Sequence, residues 1–296
     1  MKKISTVLSA LICAGLFFSC SSAPKRAMSI TSTQESAAAQ LEAANSYILT
    51  GSYDKAAVAL DSAFKYAMSV DNSDKLTSIC LAKVSLYLSD NPPYLDKARE
   101  YADMADSFAD YSSNKEKYKA LVSLYKVRIC TEDPEDKTSV NELISVLEKN
   151  APKVKGDAYN EAQFKSVAGD VYRKVKDFSS AEKSFKEAAE IYIKNRYLSE
   201  IGITWYKLAQ VYSLNDKKAD AYSAIEQAIF YDRSAENSTA LGTDYYAKGL
   251  ILLKGNCTAA QKEEAIYSLK HSADIFHSIG YEQSAQKSLS KLEEIK

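Results

Sequence analysis

Residues 169–188 read GDVYRKVKDFSSAEKSFKEA, and residues 209–228 read AQVYSLNDKKADAYSAIEQA. In both stretches a small residue (Gly169, Ala209) stands three positions before a tyrosine (Tyr172, Tyr212). An alanine follows nine residues later (Ala181, Ala221), and a second alanine seven beyond that (Ala188, Ala228). Phe185 or Ile225 falls between the alanines, and Ala44, Tyr47, Ala56, Leu60 and Ala63 repeat the plan near the start of the chain. Positions three, four and seven apart share one face of a helix. The pattern therefore specifies two helices and the faces on which they meet, with small residues permitting close approach and tyrosines filling the remaining space.

Each unit resembles a tetratricopeptide repeat, a helix-turn-helix module of about 34 residues. The resemblance implies an all-α fold, a right-handed α-solenoid of about six units. The units cover residues 37–70, 74–107, a third from Ser113 closed by Pro152, 162–195, 202–235 and a sixth from Gly242. Trp205 stands where the family pattern has tryptophan. Tyr172 and Tyr212 are 40 residues apart, so residues between Ile193 and Ser199 must lengthen the second helix or its exit loop. Tyr281–Lys296 carries Ala285, Leu289, Leu292 and Ile295 at helical spacing and reads as the capping helix a solenoid needs over its last packing face.

Local signals place the helix ends. Gly51 suits a left-handed cap and Ser52 the start of the next helix. Ser113-x-x-Glu116 and Ser139-x-x-Glu142 read as capping boxes. Between them, the acidic stretch 131–136 lacks the ligand spacing of a calcium loop and reads as a solvated turn, with a cation site as the alternative.

The amino terminus has another chemistry. Lys2 and Lys3 precede an apolar run from Ile4 to Phe18, shorter than the ~20 residues that span a bilayer and ordered as an export leader. Leu16–Cys20 resembles a bacterial lipobox, with bulky Phe18 as the departure from it, and implies lipidation of Cys20. The expected domains are a signal peptide at 1–19, a lipidated flexible tether at 20–36 and the repeat domain at 37–296. Ser21 after the cysteine, in place of aspartate, favours the outer membrane, with the domain on the periplasmic side or at the cell surface.

Composition excludes several classes. Without Lys2 and Lys3 the chain holds 36 Lys+Arg against 39 Asp+Glu, and no basic run offers a face for phosphates, so nucleic acid is not an expected partner. Beyond Gly15, no two glycines lie within five residues of each other, which removes the dinucleotide fingerprint, the P-loop and the nucleophile elbow. His271 and His277, six apart, project ~240° apart on one helix and cannot share a metal there. Mature Cys80, Cys130 and Cys257 cannot all pair. The first two read as buried thiols, with one disulfide as the alternative in an exported protein. No enzyme, metal or cofactor is expected.

The family's inner groove carries over onto named residues. Unit four offers Gln163, Ser166, Asp170 and Arg173; unit five Ile203, Tyr206, Gln210 and Ser213; unit six Thr243, Tyr246 and Leu250. Tyr206 and Tyr246 occupy one position in successive units and are expected to form an aromatic ledge beside Asp170, Arg173 and Gln210. Ser166 and Asp170 stand where a clamp for a terminal carboxylate would need lysine and asparagine, which disfavours that mode. The expected function is a membrane-anchored scaffold binding a protein or peptide at the bacterial envelope. The alternative is an accessory lipoprotein of a TRAP-type solute transport system, holding an elongated small ligand.

Overall fold

The small residues of the repeat sit where one helix crosses the next. A computed structural model describes residues 32–89 and 93–295, and within them every regular element is helical. Helix α1 (Ser32–Leu49) packs on α2 (Tyr53–Ser69), α3 (Ser73–Ser89) on α4 (Leu95–Ala109), and α5 (Lys115–Glu132) on α6 (Val140–Asn150), which runs into a 3-10 turn at Ala151–Val154. Helix α7 (Ala158–Lys174) packs on α8 (Phe178–Asn195), α9 (Leu198–Leu214) on α10 (Lys218–Ser234), and α11 (Ser238–Leu253) on α12 (Ala259–Ser278), with α13 (Glu282–Glu293) covering α12. The fold is an all-α solenoid of six tetratricopeptide-like pairs and a capping helix.

First helices of successive pairs begin 40 to 43 residues apart, against the ~34 of the family module. In the fourth and fifth pairs the excess lies in the helices, whereas in the third a longer turn holds it. Only three residues separate α7 from α8 and two separate α8 from α9, where Arg196 takes a left-handed conformation (φ 61°). A Cβ on Gly169 would lie 2.6 Å from the Phe185 ring, and one on Gly249 would lie 2.7 Å from Leu269. The same crossing pairs Ala209 with Ile225, so Phe185, Ile225 and Leu269 are buried completely at equivalent places.

Several expectations about helix ends change in detail. Gly51 is left-handed (φ 73°) as expected, whereas Ser52 holds the cap position without a side-chain bond. Ser139 accepts from the Glu142 amide, but the cap of α5 is Asn114 rather than Ser113, because both Ser112 and Ser113 are drawn to Asp74 on α3. The acidic turn is tied into the fold: Arg99 pairs with Asp133, and Lys174 donates to the carbonyls of Cys130 and Asp133 at 2.9 and 2.8 Å. On α13, Ala285 and Leu292 are buried while Leu289 is 40 % exposed, and Ser288 takes the inward place through a bond to Ser272. Cys80, Cys130 and Cys257 are all free. Burial pushes the Cys80 thiol up to about 12 and the Cys130 thiol up to about 11, so neither is a ready nucleophile.

Helix α1 starts at Ser32, so residues 32–36 of the expected tether are helical. Cys20, the leader and residues 20–31 lie outside the described residues. The array coils until its ends meet: Thr239 on α11 donates to the Thr50 carbonyl at 2.8 Å, and the Tyr281 hydroxyl donates to the Gly51 carbonyl.

Candidate functional site

Because the ends meet, the inward faces of the six first helices enclose a channel of about 900 Å³. Leu41 and Ile48 reach it from α1, Ser85 from α3, Arg128 from α5, Gln163 from α7, Tyr206 from α9 and Thr243 from α11. These residues share one face because the first helices stack side by side, each turning the same positions of the repeat inward.

A polar network crosses the middle of the channel wall. Arg173 donates to Gln210 at 2.6 Å and to Asp170 at 3.1 Å, while Lys207 donates to Asp170 at 2.6 Å and to Ser166 at 3.1 Å. Asp170 thereby neutralises two cations from adjacent repeats while lying behind the lining surface. Arg173 keeps its Nε without a hydrogen-bond partner among the described residues. On α5, Arg128 stacks on Tyr125 with its guanidinium 4.9 Å from the ring centre and donates to Ser85.

Of the residues expected from sequence, Asp170, Arg173 and Gln210 thus come together, and Tyr206 stands on the channel wall beside them. Burial pushes the Tyr206 phenol up, partly offset by its hydrogen bond with Gln210. Tyr246 is not part of the wall. The Lys287 ammonium from the capping helix sits 5.2 Å from its ring centre, while the Tyr246 phenol stays near enough to Tyr206 to help raise it. Ser213 and Leu250 also lie off the wall, whereas Gln163, Ser166, Ile203 and Thr243 are on it.

The most unusual chemistry on the wall was not singled out from the sequence. Asp232 on α10 and Asp244 on α11 lie close enough to act on each other's ionisation, and each is 1 % exposed. Both Asp232 oxygens and Asp244 Oδ2 are buried without a hydrogen-bond partner among the described residues. Burial pushes the Asp232 carboxyl up to about 7. Burial and then the charge of Asp232 raise Asp244 well above the carboxylate range. Gly202 on α9 makes room for the pair, since a Cβ there would lie 2.5 Å from Asp232 Cγ.

A signal for the pair does exist in the repeat register. Forty residues before Asp232 stands Tyr192, buried opposite Ala162, and the next unit has Phe276 opposite Gly242. Asp232 is a carboxylate where its neighbours bury a ring. Nearby on the wall, Tyr159 packs its ring edge-on to Tyr197 at 5.4 Å, and burial raises Glu200.

No family model matches the chain, and no curated protein matches it. Among solved structures, a Rap protein complexed with competence and sporulation factor is similar at 14 % identity and a TM-score of 0.60, over 89 % of this chain and 77 % of that one. The apo form of RapI is similar at 12 % identity and a TM-score of 0.58, over 88 % and 70 %. A signal transduction ATPase with a tetratricopeptide repeat sensor from Pyrococcus horikoshii is similar at 16 % identity and a TM-score of 0.51, over 87 % of this chain and 41 % of that one. At these identities the likeness establishes the fold, a tetratricopeptide-like α-solenoid.

Proposed function

We propose that the chain is a lipid-anchored scaffold of the bacterial envelope whose inner channel takes an extended segment of a protein or peptide partner. The observation that carries this reading is the channel itself, continuous across all six repeats and walled by unspent polar groups such as Arg173 Nε beside the aromatic face of Tyr206. Such a channel contacts an extended chain on several sides, and a buried aromatic with polar neighbours is the usual anchor of such contacts. The solenoid solved in complex with competence and sporulation factor is a precedent of this fold for a bound partner. Lys2, Lys3, the apolar run and Cys20 support the anchor. The three structures above include no transport protein, so a solute-transport role draws no support from them.

Site-specific photocrosslinking tests the channel. A benzoylphenylalanine at Ile203, on the wall, should capture a partner from envelope extracts, and one at Val58, 68 % exposed on α2, should not. Capture only from Val58 would move the interface to the outer face.

A further inference from the structure

The Asp232–Asp244 pair is costly as a purely structural element. Two carboxyls taken from water next to each other favour neither ionised form, and a buried oxygen without a donor costs about 1 to 3 kcal/mol. Neighbouring repeats fill the same place with Tyr192 and Phe276, which shows that the crossing packs well without charge. Three buried acceptor atoms of the pair have no partner among the described residues: Asp232 Oδ1, Asp232 Oδ2 and Asp244 Oδ2. Both residues line the channel.

We propose that Asp232 and Asp244 form a recognition site for a primary ammonium group carried by a ligand in the channel. An ammonium has three N–H donors, which matches the three open oxygens. A metal ion fits less well, because no third histidine, cysteine or acidic side chain among the described residues is placed to complete a coordination shell. Without a ligand the pair holds a proton between its carboxyls. Burial and the partner carboxyl account for both shifts, and Tyr206, whose phenol Asp244 helps to raise, is the titratable side chain that faces the pair from α9. A bound ammonium replaces that proton, which passes to solvent, and leaves one cation between two carboxylates. Gly202 preserves the space in which the pair meets.

This site rests on the channel reading above but is tested separately. Calorimetry of the full chain at pH 8 would use two probes: 1,5-diaminopentane, and an acetylated, amidated Gly-Lys-Gly tripeptide with its norleucine counterpart. At least one ammonium probe should bind while the norleucine peptide does not. The Asp232→Asn/Asp244→Asn variant should lose about tenfold or more in affinity. Repeating the titration in two buffers of different ionisation enthalpy should show proton release that the variant lacks. The asparagine changes keep size and relieve buried charge, so unchanged or raised thermal stability separates lost recognition from lost folding.

Diaminopentane binding alone assigns the site to a free amine, and tripeptide binding assigns it to a lysine of a partner segment. No binding by either probe, or equal binding by the variant, overturns the proposal. A partner that crosslinks at Ile203 and ignores both diaminopentane and the double substitution would remove the ammonium site while leaving the channel reading intact.

Discussion

The Thr239 hydroxyl in the last repeat donates to the Thr50 carbonyl in the first at 2.8 Å, across 189 residues of chain. Together with Tyr281 on Gly51, this bond turns a row of repeats into a closed coil and makes the inner surface a channel. Thr239→Val keeps the shape and removes the bond, so it should cost about 1 kcal/mol. The loss should appear in hydrogen exchange as faster opening of residues 46–53. Protection unchanged there would mean that the ends do not hold each other.

Gly51→Ala and Gly255→Ala separate backbone strain from contact. Both glycines are left-handed, at φ 73° and 67°, so each substitution should cost ~1 kcal/mol for conformation alone. A Cβ at Gly51 also meets Thr239 and Tyr281, whereas at Gly255 it meets nothing within 4 Å. Gly51→Ala should therefore lower the melting temperature clearly more than Gly255→Ala.

Crossings between paired helices should tolerate no added volume. Gly169→Leu or Ala181→Leu should overpack the Phe185 contact and cost on the order of 1 to 3 kcal/mol or more. Lys186→Ala removes a half-exposed pair with Glu182 at 2.7 Å, worth ~0 to 1 kcal/mol. Similar denaturation midpoints for the two classes would contradict this packing.

Stability should fall with rising pH through the Asp232 titration. Folded Asp232 holds its proton up to about 7, above the ~3.9 of an unfolded aspartate, so between those values the folded chain binds more protons. Its contribution is present at low pH and is lost as pH rises toward 7, with a slope of at most ~1.4 kcal/mol per pH unit for one group. Glu182, held low by Lys186, acts in the opposite sense and only below its ordinary range. Asp244, raised chiefly by burial, retains a proton as well, so urea titrations at pH 5, 6, 7 and 8 should show the decline in wild type and a flatter profile in Asp232→Asn/Asp244→Asn, and identical profiles would count against retained protons.

For the proposed anchor and groove, two substitutions give direct readings. Cys20→Ala should move the protein from the detergent to the aqueous phase in Triton X-114 partitioning. Tyr206→Ala should weaken capture at Ile203, and Tyr246→Ala should leave it unchanged, because only the first ring is on the wall. Equal losses would restore the ledge of two rings.

Local spacing determined the pairs of helices by itself. Small residues at Gly169, Ala209 and Gly249 mark crossings whose partners lie 16 or 20 residues on, close enough that one turn brings them together. Spacing also brought Arg173, Asp170 and Gln210 to the same face, since the repeat places equivalent positions side by side. It gave the 40-residue step from Tyr172 to Tyr212 but left open whether the second helix or its exit loop holds the extra residues, because a longer helix leaves the face pattern unchanged. Nor could it show that Thr50 meets Thr239, that Tyr246 turns to Lys287, or that Asp232 and Asp244 face each other over Gly202. Those relations depend on small rotations summed over six repeats, and on which side chains each crossing leaves inside. A helix-period pattern carries the faces and not the accumulated curvature.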